Sequence, residues 1–196
     1  QAILAGRAEE ALQRRERYYQ SLIELSSDST LILDRDLNLK WKSGPTQRIF
    51  GYAPNENIGK GPLDFIHPDD AQNAVNMFMS VASNPEERGY VEARLRRKDG
   101  SWCWTGIMAK NHLDNPDIEG LVLNMRDISE RKKSYEALRE AQRRYLAIFN
   151  NPLNIVYVCD EHAVFVDAND EALKKLEYTR DDLGKLSFQK VIHPDD

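Results

Sequence analysis

The sequence predicts an α+β fold, a five-stranded antiparallel sheet with short helices on one face, flanked by long linker helices. Three observations predict it. β-prone runs come as a pair and then as a trio around one helix; two segments rich in Ala, Glu, Arg, Leu and Gln bracket them; and Ile66-His67-Pro68-Asp69-Asp70 returns 126 positions later as Ile192-His193-Pro194-Asp195-Asp196. The same offset places Tyr19 on Tyr145, Asp34 on Asp160 and Tyr52 on Tyr178. A period that long indicates two copies of a domain and not a solenoid unit.

The copies divide the 196 residues into a linker or coiled-coil helix at 1–25, a domain at 26–128, a connecting helix at 129–150 and the front half of a second domain at 151–196. A half domain of that size buries too little surface to be more than marginally stable alone. The natural chain is therefore expected to extend beyond both Gln1 and Asp196.

Good helix formers with no Pro predict a helix over 2–25. Thr30-Leu31-Ile32-Leu33-Asp34 and Leu37-Asn38-Leu39-Lys40-Trp41 read as a hairpin turned at Asp34-Arg35-Asp36. Gly44-Pro45 breaks it, and the stretch 46–66, with Gly51, Pro54, Gly59, Gly61 and Pro62, holds only short helical turns. Pro68 opens a helix that runs to Ser83 on a core stripe of Ala71, Ala74, Val75, Phe78 and Val81. Strands over 89–97, 101–113 and 118–127 follow, joined by Lys98-Asp99-Gly100 and Asn115-Pro116-Asp117 turns. A second long helix spans 129–150, with Ser129 as its expected N-cap and Pro152 beyond its end. Along it Ile128, Tyr135, Leu138, Tyr145 and Phe149 form a heptad seam. Such a seam needs a partner surface, either its own domain or the same helix of a second chain.

The net charge of −5 gives no electrostatic footprint for nucleic acid. Arg14-Arg15-Glu16-Arg17 does not change this, because Glu9, Glu10 and Glu16 interleave the arginines as i,i+4 partners on a solvated face. Two cysteines at unrelated places, Cys103 and Cys159, suggest reduced thiols and a cytoplasmic protein. No apolar run is long enough for a membrane span and no signal peptide is visible.

His67 beside two carboxylates suggests a metal or an acid/base pair, yet Pro68, Asp69 and Asp70 also suit the start of a helix, where its dipole favours negative charge. No second His or Cys lies at ligand spacing, and His112 sits on another strand, so structural capping is the expectation. Cys103 falls on the strand face opposite Trp102 and Trp104, which points to a buried side chain and not a reactive thiol. The two tryptophans share a face that suits packing against a flanking helix or a second subunit.

Tyr52, the Ile66–Asp70 motif, Arg94-Leu95-Arg96-Arg97-Lys98-Asp99-Gly100-Ser101 followed by Trp104, and Met125-Arg126-Asp127-Ile128-Ser129-Glu130-Arg131-Lys132 resemble, in this order, a PAS domain with its C-terminal motif and linker helix. The resemblance covers 19–132, and 145–196 resembles the front half of another. It implies a non-enzymatic sensory or dimerisation module, one found upstream of histidine kinases, cyclic-dinucleotide enzymes or chemoreceptor domains. A homodimer through the linker helices is the implied assembly, and a constitutive scaffold is the alternative. A haem-binding member would carry its axial His on the long helix, and 69–83 has none. A cysteinyl-flavin member would carry a reactive Cys where this chain reads Thr46-Gln47-Arg48-Ile49-Phe50-Gly51. Flavin without an adduct stays open.

What remains is the space between sheet and helices. Leu31, Leu33, Val91, Leu95, Ile107, Leu121 and Leu123 are the candidates to line it, with Thr105 or Asn124 as polar contacts for a small ligand; the alternative is a filled core. The family motif implies Asp127, with Arg126 and Trp104, as the relay into the linker helix. A carboxylate there can cap the helix or pair with a basic side chain.

Overall fold

The computed structural model describes residues 2–187 and 191, except the side chains of 2–6 and 8; the second copy of the His-Pro-Asp-Asp motif at 192–196 lies outside them. The chain separates into two compact units, 1–132 and 133–196.

In the first unit, α1 (Ala2–Leu25) leads into the hairpin of β1 (Ser29–Leu33) and β2 (Leu39–Lys42). The turn is longer than the sequence pattern suggests. The Asp34 carboxylate accepts the amides of Asp36 and Asn38, at 2.9 and 2.8 Å, and Leu37 takes a left-handed conformation with φ of 62°. The strand therefore begins at Leu39 and not at Leu37. Pairing then slips by one residue: Leu33 faces Leu39, Ile32 faces Trp41 and Leu31 faces Lys42. Strict alternation from Leu39 would send Trp41 inward. The bulge at Lys40 reverses this, leaving Trp41 42% exposed and turning Lys42 toward the helical side.

α2 (Pro45–Phe50) starts on a Pro at its first turn and stops at Gly51, whose φ of 82° is one that glycine adopts without strain. A 3₁₀ turn (Pro62–Asp64) precedes α3 (Pro68–Ser83). Ala74, Phe78 and Val81 of its apolar stripe are buried, and Ala71 packs beside them. β3 (Arg88–Arg96), β4 (Trp102–His112) and β5 (Gly120–Asp127) complete an antiparallel sheet of order β2-β1-β5-β4-β3. The fold is thus a five-stranded antiparallel α+β domain. Its core lies between one sheet face and the helices, where Phe50, Ile66 and Phe78 meet Leu33, Leu95, Ile107, Leu121 and Leu123. Asn111, buried in that face, donates to the carbonyls of Val81 and Ala82 and so satisfies the end of α3. The β3 edge is closed by Ile66 bridging Leu95, with the Arg96 amide donating to Phe65 and the His67 amide to Arg94.

α4 (Ser129–Phe149) begins in the first unit and continues in the second. Its N-terminal cap differs from the expectation. The Ser129 amide donates to the Asp127 carboxylate at 2.8 Å, so Asp127 and not the Ser129 hydroxyl satisfies the helix start. The seam residues Tyr135 and Leu138 are 65% and 67% exposed. In the second unit β6 (Tyr157–Cys159) pairs with β7 (Phe165–Ala168), followed by α5 (Asp170–Leu176) and a 3₁₀ turn (Arg180–Lys185). A small core gathers Phe165, Ala168, Ala172 and Leu183.

Backbone detail recurs at the 126-residue offset. Ala163 has φ of 60° where Leu37 has 62°, and Glu177 is left-handed where Gly51 is. Asp160 accepts the amides of His162 and Val164 as Asp34 accepts those of Asp36 and Asn38.

Candidate functional site

A cavity of about 70 Å³ lies between the sheet and the α2-to-α3 segment. Leu31, Leu33, Leu95, Ile107 and Leu123 line it, joined by Phe50, Phe65, Ile66, Phe78 and Met125. Four candidates from the sequence do not. Asn124 follows Leu123 on β5, so the pleat turns it to the opposite face, where its Oδ1 accepts from Thr30 at 3.0 Å. Thr105 does face inward, but its hydroxyl donates to the Cys103 carbonyl and it stays outside the lining. Leu121 and Val91 belong to the filled part of the core.

Lys42, Lys60 and Arg96 are the charged residues of the lining. Lys42 is half-buried and its ammonium donates to the Glu56 carbonyl at 2.7 Å. Burial pushes its pKa below the usual lysine range, and the nearby Lys98 charge adds to this while Glu56 opposes it. The sequence pattern hid Lys42, because only the bulge at Lys40 aims it inward.

Three successive residues of α2 tie the cavity wall to both long helices. Arg48 donates to the carbonyls of Glu24 and Ser26 at the end of α1, at 2.9 and 2.8 Å. The Ile49 carbonyl accepts from Nε of Arg97 at 2.9 Å, and the same guanidinium donates to the Asp127 carboxylate at 2.7 Å. Phe50 lines the cavity. Asp127 in turn holds the Ser129 amide at the start of α4. Burial raises the Asp127 pKa, but hydrogen bonds from Ser129 and Cys103 and the Arg97 charge outweigh it, leaving the carboxyl below its ordinary value. Arg97 was missed in the sequence; its place beside the Lys98-Asp99-Gly100 turn was the available signal.

The two other relay candidates also sit at this junction. Arg126 forms a two-pronged pair with Asp28, both contacts 2.7 Å, fastening the residues that follow α1 to β5. The Trp104 carbonyl accepts from the Ile128 amide at 2.8 Å, while the Arg94 guanidinium and the Lys132 ammonium stand over its ring, 5.3 and 4.7 Å from the ring centre. Glu92 accepts from Arg131 and Lys132, so the first turn of α4 is also held to β3.

His67 is the N-cap of α3: its Nδ1 accepts the Asp69 amide at 3.2 Å, and its ring meets Trp102 edge-on at 4.7 Å. Asp70 accepts the Arg94 amide and Nε at 2.9 and 2.8 Å, and those hydrogen bonds hold its carboxyl below the usual range against the effect of burial. The motif therefore locks α3 to β3. Among the described residues no group of three or more His, Cys, Asp or Glu side chains is placed to hold a metal ion. Cys103 is fully buried, and burial raises its thiol pKa.

Residues 38–117 match the family described as PAS fold, and 153–196 match PAS domain. This chain belongs to the PAS family. The PAS domain of an HTR-like protein from Haloarcula marismortui superimposes on 63% of the chain and 99% of its own length, with TM-score 0.52 and 24% identity. A PAS domain from Colwellia psychrerythraea covers 61% of the chain and 98% of its own, with TM-score 0.51 and 20% identity. Among curated relatives, the uncharacterized protein y4lL of Sinorhizobium fredii is 27% identical over 96% of this chain and 23% of its own length. Sporulation kinase E of Bacillus subtilis is 21% identical over 92% of this chain and 24% of its own length. The chain spans about a quarter of the curated relatives it matches. Among the described residues no helix is long and apolar enough to cross a membrane.

Proposed function

We propose that this chain is the sensory and relay segment of a longer signal-transduction protein, with two PAS copies in tandem and no catalysis of its own. Occupancy of the first-unit cavity moves Phe50, and the movement reaches α4 because Ile49, Arg97, Asp127 and the Ser129 amide are joined by consecutive hydrogen bonds. That chain of contacts is the observation that carries the proposal. A ligand acts only if it binds the two arrangements unequally. The likeness to a sporulation kinase supports an output domain of kinase type. Exposed Leu12, Tyr19 and Leu22 on α1 and Tyr135 and Leu138 on α4 support a homodimer through the linker helices. Two free cysteines support a reducing, cytoplasmic setting. The cavity volume suits a few carbon atoms and not a porphyrin or isoalloxazine ring, so haem and flavin have no part in the proposal.

Hydrogen exchange on Arg97→Ala tests the relay. The substitution leaves α4 untouched in sequence yet removes the link to Ile49, so the amides of Ser129 and Lys132 should exchange about tenfold faster, the worth of one charge-assisted hydrogen bond. Unchanged exchange would favour a constitutive scaffold, in which the PAS copies only set dimer geometry.

A further inference from the structure

The charges around the cavity are one-sided. Lys42, Lys60 and Arg96 line it, and among the described residues no carboxylate does. All three cations have neutral acceptors in place: Arg96 donates to the Asp64 carbonyl at 3.1 Å, Lys60 lies 3.4 Å from Asn57 Oδ1, and Lys42 donates to the Glu56 carbonyl. Lys42 is the one carried inward by the backbone itself, through the bulge at Lys40. Among the described residues it forms no ion pair, and its acceptor is the neutral Glu56 carbonyl; the Glu56 carboxylate is taken by Lys98 at 2.8 Å. A half-buried ammonium beside an apolar void, whose nearby Glu56 carboxylate is already paired with Lys98, is an unfavourable arrangement that an anion would relieve.

The same bulge recurs in the second unit, between Val158 and Cys159, but the position 126 residues after Lys42 is Ala168, and the cavity there is about 10 Å³. The hairpin geometry thus does not itself require a lysine. The first unit combines the inward cation with the larger void.

We infer that the cavity binds a small aliphatic monocarboxylate, its tail among Leu33, Phe78, Ile107 and Leu123 and its carboxylate on Lys42. This rests on the sensory reading and names its ligand class. The volume sets the size: since a cavity of about 150 Å³ takes benzene, one half as large takes a tail of roughly three or four carbons. Tails of eight or more carbons, and lipid acyl chains with them, are excluded by length.

Calorimetric titration of the wild-type chain with acetate, butyrate, decanoate, 1-butanol and 1-butylamine tests this without any variant. Butyrate should bind about tenfold or more tighter than butanol, with butylamine and decanoate weaker still. Lys42→Met, which keeps the stem, should bind butyrate and butanol alike. Equal affinity for butyrate and butanol in the wild type, or an unchanged preference in Lys42→Met, overturns the carboxylate assignment. Hydrogen exchange at Ser129 and Lys132 with and without ligand separates the two ideas. Butyrate binding without any change at α4 leaves the ligand class standing and removes the relay; butanol binding with a change at α4 does the reverse. No binding of any probe ends both.

Discussion

Arg97 and Asp127 meet at 2.7 Å, and through this contact the carbonyl of Ile49 and the amide of Ser129 are held by one ion pair. The pair is about one third exposed on each side. Solvent screens it, so it acts as a positioning contact more than as a source of stability.

Acid should release this junction late. The Asp127 carboxyl titrates below its ordinary value in the folded chain, so its contribution is complete above the usual carboxylate range and is lost as pH falls through the lowered value. Exchange at the Ser129 amide, corrected for its intrinsic pH dependence, should therefore stay constant down to about pH 4. In Asp127→Asn the corrected rate should be higher at neutral pH and flat on acidification; a wild-type rise already at pH 6 would place the titrating group elsewhere.

Asp70→Asn should destabilise the first unit by about 2 kcal/mol, because a mostly buried carboxylate that accepts both the amide and the guanidinium of Arg94 is lost. The Asp70 pKa is lowered when folded, so this advantage holds above the ordinary aspartate range and vanishes as pH falls through the lowered value. Urea unfolding at pH 7 and pH 3 measures both; an equal difference at the two pH values would show that charge is not the cause.

Gly120 sits where β5 passes β1, and a Cβ there would stand 2.5 Å from the Leu33 carbonyl oxygen, a backbone atom with little room to yield. Gly120→Ala should cost about 1–3 kcal/mol. Gly61→Ala meets nothing within 4 Å and should be neutral. Thermal unfolding of the two variants decides, and equal midpoints would contradict the close approach.

Leu138 is 67% exposed on α4, with Tyr135 beside it. If the seam is a dimer contact, Leu138→Glu puts charge into it at a cost of roughly 1.5–3 kcal/mol per chain from lost burial alone. Sedimentation equilibrium should then show the balance moving to monomer, and an unaltered dimer would assign the contact to another surface.

Among its described residues the second unit pairs β6 with β7 and adds a single bridge from Val164 to Ser187, against five paired strands in the first. A two-stranded hairpin with a small core is marginal. Amides over 155–165 should exchange far faster than those over 91–95, and equal protection would show that the half domain is stable in its own right.

The strand and helix pattern was legible because it is written in local chemistry. Pro68 after His67, Asp69 and Asp70 in the first turn, and Asp99-Gly100 between strands each fix a boundary with neighbouring atoms alone. The tight turn at Asp34 was seen, but its left-handed Leu37 was not, because nothing about leucine favours that conformation. Asn124 was misassigned to the cavity although the pleat alone separates it from Leu123.

By itself the sequence determined the α+β class, the order of its elements, the 126-residue repeat and the family, because periodicity, turn residues and motif order survive without any long-range contact. Only the tertiary structure decided which charges matter. Register is a relation between two strands, and a single slip at Lys40 put Lys42 inside and Trp41 outside. Arg97 reaches Ile49 and Asp127 across separations of 48 and 30 residues, a coincidence that folding creates and no local pattern announces.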